Sequence, residues 1–484
     1  MKHLRKLSLL LVLAMLATTA CGKDGNSDDT EDAGTTSGSA VDTEAEGEKL
    51  ELPDDITSDY DEISILNCEG TMHGPDEFTD DLDTFHKAMY ERRKAVEDRF
   101  GIELSFTDAT FSDTPNRARQ SINSGSDDYQ MTFMVADHSI SFVNEGLFLP
   151  LSELPYIDLE KPWWNKQYIS SISLHEDDQY VLFGDICWNM LQRTTCVFFN
   201  IPLLEEKLNM QPQDLYDLVY EGKWTIDKMA ELVSQVYVDD GNTINDENDI
   251  HGLVIYGPDQ MNWMAFSSGL DFTSRNEEGY PELNLNNEAT LDLIDKLMSF
   301  LVNNEAVYNH KDNHGHVWKF SNGNALFLQN RIFLTSWEQL RTMKDDYGIL
   351  PMPKYNEDID GYHSVVEQNV QWGTVPVTVT DPAFVSAVAE ALAYESRLRV
   401  TPAYYETTLK LKQTRDDASM EMIDMIMAGR DTDYLFINPL GGMDDIFKNI
   451  FNAGQNNFAS QYARLERAAN ANLRDLIAAY EERY

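Results

Sequence analysis

Two clusters in the sequence have the residue types and spacing of metal ligands. In the segment 238–249, Asp240, Asn242, Asp246 and Asp249 match positions three, five, nine and twelve of a calcium loop. The first ligand position is Val238 and the sixth, where such a loop needs glycine, is Thr243, so the segment reads as a solvated acidic turn. His310, Asp312, His314 and His316 are donors that a transition metal could use, but the intervening Asn313 and Gly315 favour a polar loop. No metal or cofactor is expected. The chain contains no G-x-S-x-G, H-E-x-x-H, G-x-x-x-x-G-K or G-x-G-x-x-G pattern and no Cys beside a His, although 83 acids leave room for a pair of carboxylates. What remains is a set of tryptophans with polar neighbours: Trp188 near Asp185 and Asn189, Trp372 between Gln371 and Gly373, Trp263 after Asn262, and Trp337 before Glu338. An indole face beside a carboxylate or amide can stack on a flat ring and hydrogen-bond its rim.

Such side chains need a large scaffold. At 484 residues the chain is about three ordinary domain lengths, so two lobes or domains are expected. A hydrophobic fraction of 42% and an aromatic fraction of 11% exclude a disordered or fibrous protein, and a mean hydropathy of -0.42 excludes a polytopic membrane protein. The net charge of -46 repels phosphate backbones, which removes nucleic acid from the partners. Cys68, Cys187 and Cys196 remain once Cys21 is set aside; Cys187 and Cys196 could close a small loop, and buried thiols are the simpler reading.

The first 21 residues carry Lys2, Arg5 and Lys6 ahead of an apolar run, 7–17, that is well short of the about 20 residues needed to span a bilayer. They read as an export signal. Thr18-Thr19-Ala20-Cys21-Gly22 resembles the bacterial lipoprotein cleavage box, in which the Cys takes the lipid; Thr18 departs from the usual Leu, and an ordinary signal peptide with an incidental Cys is the alternative. Residues 22–60 are mostly Gly, Ser, Thr, Asp, Ala and Glu with no apolar period, which makes a self-repelling tether with a reach on the order of 30 Å.

From residue 63 the period alternates. Residues 63–67 read as a buried strand; Phe85, Met89, Val96 and Phe100 recur at helical spacing after an Asp83-Thr84 cap and before Gly101. A strand at 102–106, a helix opened by Pro115 and a strand at 129–135 complete a βαβαβ unit, and hence a parallel α/β sheet. Ligands of such sheets sit beyond the carboxyl ends of the strands, which points to Glu69 after the first strand and to Asp137 and His138 after the third. Further on, helices follow Thr225 and Asn287, and Phe458, Tyr462, Leu465, Ala469, Leu473, Leu476 and Tyr480 share one face of a long terminal helix.

With these elements in order, Trp163-Trp164-Asn165, Val197-Phe198-Phe199-Asn200, Gly323-Asn324-Ala325-Leu326-Phe327 and Tyr347-Gly348-Ile349-Leu350-Pro351-Met352-Pro353-Lys354 complete a pattern. From about residue 63 to the end, the chain resembles the extracellular solute-binding proteins of bacterial ABC importers, in the family 1, carbohydrate-type group common in Gram-positive bacteria. The resemblance implies a periplasmic-binding-protein-like type II fold: two α/β lobes joined by a multi-strand hinge, with the ligand cleft between them. It implies lobe 1 over 61–187 plus 373–435, lobe 2 over 193–368 plus 438–484, and crossings near 184–193, 367–373 and 438.

The same resemblance places Trp188 and Trp372 in hinge segments that line the cleft, with Asp185 and Asn189 beside the first. Trp263 with Asn262 falls on a cleft-facing loop, and Trp337-Glu338 falls where that family contacts solute. Trp163, Trp164, Trp224 and Trp318 are assigned to the core. The implied function is capture of a small-molecule solute, a sugar or oligosaccharide, by a monomer that hands it to ABC permease subunits from a Cys21 anchor on the outer face of the membrane. The alternatives are a surface carbohydrate-active enzyme with two carboxylates across a cleft, a glycan-binding adhesin, and a receptor for peptides.

Overall fold

The computed structural model describes residues 49–175, 179–242, 245–406 and 417–483. The leader, Cys21 and the tether up to residue 48 lie outside the described residues, as does Thr243. Residues 49–60, expected to belong to the tether, instead pack on the fold: Leu52 is buried, Glu51 pairs with Lys161 at 2.9 Å and Ser58 donates to Asp381 at 2.6 Å.

Strand β1 (Glu62–Cys68) buries Ile63, Ile65 and Leu66. Helix α1 (Thr84–Phe100) begins where the Asp83 carboxylate accepts the His86 N–H at 2.8 Å, and ends at Gly101, whose φ of 67° suits a residue without a Cβ. Strand β2 (Glu103–Ala109), helix α2 (Thr114–Ser124), strand β3 (Met131–Val135) and helix α3 (Ala136–Glu145) follow. β1 lies between β2 and β3, parallel to both, with Ile65 beside Phe106 and Met131.

The second sheet takes strands from the middle of the chain. β4 (Thr195–Asn200), β5 (His251–Ile255), β8 (Val307–Asn309), β9 (Ala325–Arg331) and β10 (Tyr347–Leu350) pair in the order β10-β4-β9-β5-β8, and β6 (Thr273–Arg275) and β7 (Pro281–Leu283) form a separate hairpin. The apolar runs of β4 and β9 are buried, as continuous hydrophobic strands require when both faces are covered. The remaining strands are β11 (Ser364–Val365), β12 (Gln371–Thr374) and β13 (Arg430–Asp431). β12 returns to the first sheet and pairs antiparallel with β3, setting Trp372 opposite Met134.

Two crossings between the sheets run side by side. Leu182 bridges Gly373 next to the first sheet, Thr194 bridges Val366 next to the second, and the Glu367 N–H donates to the Arg193 carbonyl at 3.0 Å. β11 and β13 pair in parallel close to this bundle.

The lobe bounds expected from the sequence need two corrections. Residues 373–435 do not stay in one lobe: helix Pro382–Glu395 packs on α1, whereas helix Asp417–Ala428 packs on β10 and on helix Pro212–Tyr220. Its buried Met422, Ile423 and Ile426 belong to the second core, and Tyr216 Oη meets Ser419 Oγ at 2.9 Å. The terminal helix Phe458–Glu481, expected in the second lobe, straddles the two. It packs on helix Ile446–Ala453, which packs on helix Asp259–Phe266, while Arg483 donates to the Asn144 carbonyl of α3 at 3.2 Å.

Cys68, Cys187 and Cys196 are free and buried, and burial pushes the Cys187 thiol up to about 12. Trp163 and Trp164 both donate their indole N–H to the Glu390 carboxylate, at 2.9 and 2.8 Å. Trp224 is buried against the Pro351 carbonyl, but Trp318, expected in the core, is 50% exposed. Its short helix turns His316, Val317, Lys319 and Phe320 inward and leaves Trp318 on the outer face. No helix among the described residues is long and apolar enough to cross a membrane.

Candidate functional site

The site begins where β1 ends. Glu69 has φ 56° and Gly70 has φ 68°, two consecutive left-handed residues that reverse the chain. A left-handed residue with a Cβ is uncommon and persists only where its surroundings hold it. Here the Glu69 carboxylate accepts the Phe111 N–H at 2.6 Å, Asn67 Oδ1 accepts the Met72 N–H at 3.1 Å, and buried Arg92 donates to the Met72 carbonyl at 2.8 Å. His73 stacks on Phe106 between the carboxylates of Asp108 and Asp76, at 3.0 and 3.1 Å.

This turn forms one wall of a cleft of about 1020 Å³. Thr71, His73 and Phe85 line it from the first lobe, Trp188 and Gln192 from the first crossing, and Ser336 and Arg341 from the second lobe. Trp188, 8% exposed, donates its indole N–H to the Thr71 carbonyl at 2.9 Å. Its ring meets Phe85 edge-on at 4.6 Å and Tyr404 at 5.9 Å, so the wall carries a group of three aromatics with hydroxyl, amide and imidazole groups around it. That mixture suits a ligand with flat apolar faces and a polar rim.

The other expected residues divide. Trp372 is 0% exposed and turned away from the cleft: its N–H faces Tyr168 Oη at 3.3 Å, and its ring lines a separate small cavity with Tyr434 and Leu476. Side chains alternate along β12, so the neighbouring Gln371 points toward the turn, donating to the Cys68 carbonyl at 2.6 Å and to Thr71 Oγ1 at 2.9 Å. Asp185, also buried, accepts the Thr401 hydroxyl at 2.7 Å and lies 3.8 Å from Arg397, which makes it a tie within the fold. Asn189 is buried beside Trp188, its side-chain oxygen without a partner among the described residues.

In the second lobe Trp263 and Asn262, expected on a cleft-facing loop, lie instead in the helix Asp259–Phe266 and do not line the cleft: Trp263 is buried beneath the Arg331 guanidinium, 5.3 Å from its ring centre, and Asn262 is buried next to it. Trp337 is half-buried between Phe333 and His314, with both rings edge-on at 5.3 and 4.9 Å. Glu338 is exposed at the start of the short helix that carries Arg341. Arg331 and Arg193 both bond Glu367 Oε2, the latter at 3.1 Å, and this pairing holds the buried Glu367 carboxyl below the usual carboxylate range against the cost of burial. Asp137, in the first turn of α3, does not line the cleft. The surrounding protein desolvates its carboxyl and pushes it up to about 6; Lys448 pulls the other way, while Glu367 and Asp445 push further. Glu69 supports the turn through Phe111, and burial lowers His138, whose ring meets Phe111 at 4.4 Å.

Sequence reasoning misses the contributions of Thr71, His73, Phe85, Gln192, Ser336, Arg341 and Tyr404. Phe85 reads from the sequence as part of the apolar stripe of α1, and no local signal beside it shows that the first turn lines the cleft. Neither metal-like segment is a stronger candidate. In the acidic segment the Asp249 carboxylate accepts the N–H groups of Asp240 and Asp246 at 2.9 and 3.1 Å, Lys319 donates to the Glu247 and Asp249 carbonyls at 2.8 and 2.6 Å, and carboxylate oxygens of Asp239, Asp240 and Asp249 lie within 4.8 Å of one another. The histidines have separate partners: His316 faces Asn330 at 3.0 Å, His310 accepts the Asp312 N–H at 3.0 Å, and His314 meets Trp337.

No family model matches the sequence, and no curated protein matches it either. Solved structures do match. The extracellular solute-binding protein from Staphylococcus aureus in complex with maltose aligns with a TM-score of 0.58 at 12% identity, covering 87% of this chain and 100% of that one. The ABC substrate-binding protein from Listeria monocytogenes in complex with cycloalternan gives 0.54 at 12%, covering 87% and 100%. The maltose/maltodextrin-binding domain from Bdellovibrio bacteriovorus bound to maltotriose gives 0.52 at 14%, covering 85% and 100%. At these identities the likeness speaks for architecture: two α/β lobes, a hinge of adjacent crossings and a cleft lined from both sides give this chain the periplasmic-binding-protein-like type II fold.

Proposed function

We propose that this protein is the solute receptor of a bacterial ABC importer, closing its lobes on a sugar or oligosaccharide and delivering it to a membrane permease. The observation that carries the reading is the cleft of about 1020 Å³, lined by both lobes and by the hinge, with Trp188 and Phe85 in its wall. A ligand that touches both lobes biases a hinge equilibrium toward closure, which turns binding into a shape the permease can read. The proteins of like fold named above are bound to maltose, cycloalternan and maltotriose, which supports a carbohydrate ligand and a binding protein in place of an enzyme. The leader and Cys21 support an anchor on the outer face of the membrane, with the acidic tether as a spacer.

A thermal-shift screen over mono- and oligosaccharides and short peptides tests the reading. Ligand at a hundred times its Kd stabilises the folded state by about 2.7 kcal/mol, enough for a clear rise in melting temperature. A rise with oligosaccharides and intact recovered sugar supports the proposal. A rise with peptides alone overturns the carbohydrate assignment, and cleavage of the sugar makes the protein an enzyme.

A further inference from the structure

We infer that the turn 69–73 couples an occupied cleft to the hinge, and that Gln371 is the positioning residue that transmits the coupling. This rests on the solute-receptor reading and adds to it a route from ligand to closure. The two ends of the turn are fastened within the first lobe: Glu69 to the Phe111 N–H, and Met72 to Asn67 and Arg92. The middle is fastened to both crossings. Trp188 of the first crossing donates to the Thr71 carbonyl, and Gln371, at the end of the second, donates to the Cys68 carbonyl and to Thr71 Oγ1.

One residue in the cleft wall therefore carries a hydrogen bond from each crossing. The Thr71 hydroxyl donates to the Cys68 carbonyl at 3.1 Å while it accepts from Gln371, so a solute hydroxyl can reach Thr71 only by donating to its remaining lone pair or by displacing one of these bonds. Displacing the Gln371 bond releases the turn from the second crossing, whereas donation to the remaining lone pair leaves it fastened to both. Gln371 itself is buried and absent from the cleft lining, so its amide acts through Thr71 and Cys68. The left-handed pair Glu69 and Gly70 fits such a role, because a turn held in an uncommon conformation relaxes when its restraints change. The two-state element that both ends bias is the hinge, which is what a claim of coupling requires.

The test uses the mature chain with Cys21→Ser and spin labels on Asp98→Cys in the first lobe and Gln213→Cys in the second, both exposed positions, while the three native thiols are buried. Maltotetraose is titrated by calorimetry, and the distance between labels is measured without ligand and at saturation. In the parent chain the distance shortens at saturation. In Gln371→Met and in Thr71→Val, maltotetraose binds more weakly by about 5- to 150-fold, the usual range of a coupling, and the saturated complex keeps the ligand-free distance. Arg341→Ala, which removes a cleft contact, weakens binding but still closes at saturation. Closure of Gln371→Met to the parent distance overturns the inference and leaves the receptor reading intact. Binding in the parent chain without any shortening of the distance overturns both.

Discussion

The indole N–H of Trp188 donates to the carbonyl of Thr71 at 2.9 Å, which fixes an aromatic ring of the first crossing against the turn after β1. Under the solute-receptor function proposed above, a ring held in place by the fold offers a preorganised platform and lowers the ordering entropy that binding must meet.

Trp188 and Trp372 are therefore expected to behave differently. Trp188→Ala lowers oligosaccharide affinity by tenfold or more, on the order of 1.4 kcal/mol. Trp372→Ala opens a void in a fully buried position and costs about 3–5 kcal/mol of stability. Denaturant melts beside titrations separate the two effects, and equal loss of affinity with unchanged stability in both variants contradicts this placement.

The Arg193, Glu367 and Arg331 cluster is expected to stabilise the hinge. Glu367→Ala leaves two partly buried guanidinium groups facing one another without their shared carboxylate. Breaking a buried pair costs about 3–5 kcal/mol, and the lower end applies here because Arg193 is about one-third exposed. Since this carboxyl is held below its ordinary range, its contribution is present above the unfolded pKa and is lost as the pH falls through the folded one. An acid melt series checks the sign: the gap in melting temperature between parent and Glu367→Ala narrows toward low pH.

Glu390 gives the opposite sign. Burial pushes its carboxyl up to about 7 despite the two indole N–H bonds, so the folded state holds a proton that the unfolded chain has released between about pH 4.5 and 7. Stability from this group therefore grows as the pH falls through that window and is lost as the pH rises through the folded pKa, at about 1.4 kcal/mol for each tenfold difference in proton affinity between the folded and unfolded chain. Glu390→Gln removes this dependence, which melting temperatures at pH 5 and pH 7.5 reveal; an unchanged slope contradicts the assignment.

Three of the four strands of the lobe 1 sheet are legible in the sequence because their signals are local. Asp83 caps α1, Gly101 and Gly125 end two helices with left-handed residues, and the apolar runs of β1 and β3 stand alone. The rest depends on distant partners. Nothing near Gln371 shows that β12 will pair antiparallel with β3, and without that pairing the faces taken by Gln371 and Trp372 cannot be assigned. Phe85 shows the same limit: a helical apolar period reads equally as core or as an aromatic wall, and the fold decides. Helix Asp417–Ala428 falls in the wrong lobe when read from sequence, because an apolar face does not say which core will cover it.

As the proposed receptor, the protein closes its lobes on a sugar and releases it unchanged. Small-angle scattering during titration of the mature chain with a maltose to maltohexaose series measures this directly. Saturable compaction with at least one of these sugars, and recovery of the intact sugar afterwards, are expected. An unchanged radius of gyration across the series, or the appearance of shorter sugars, contradicts the proposal.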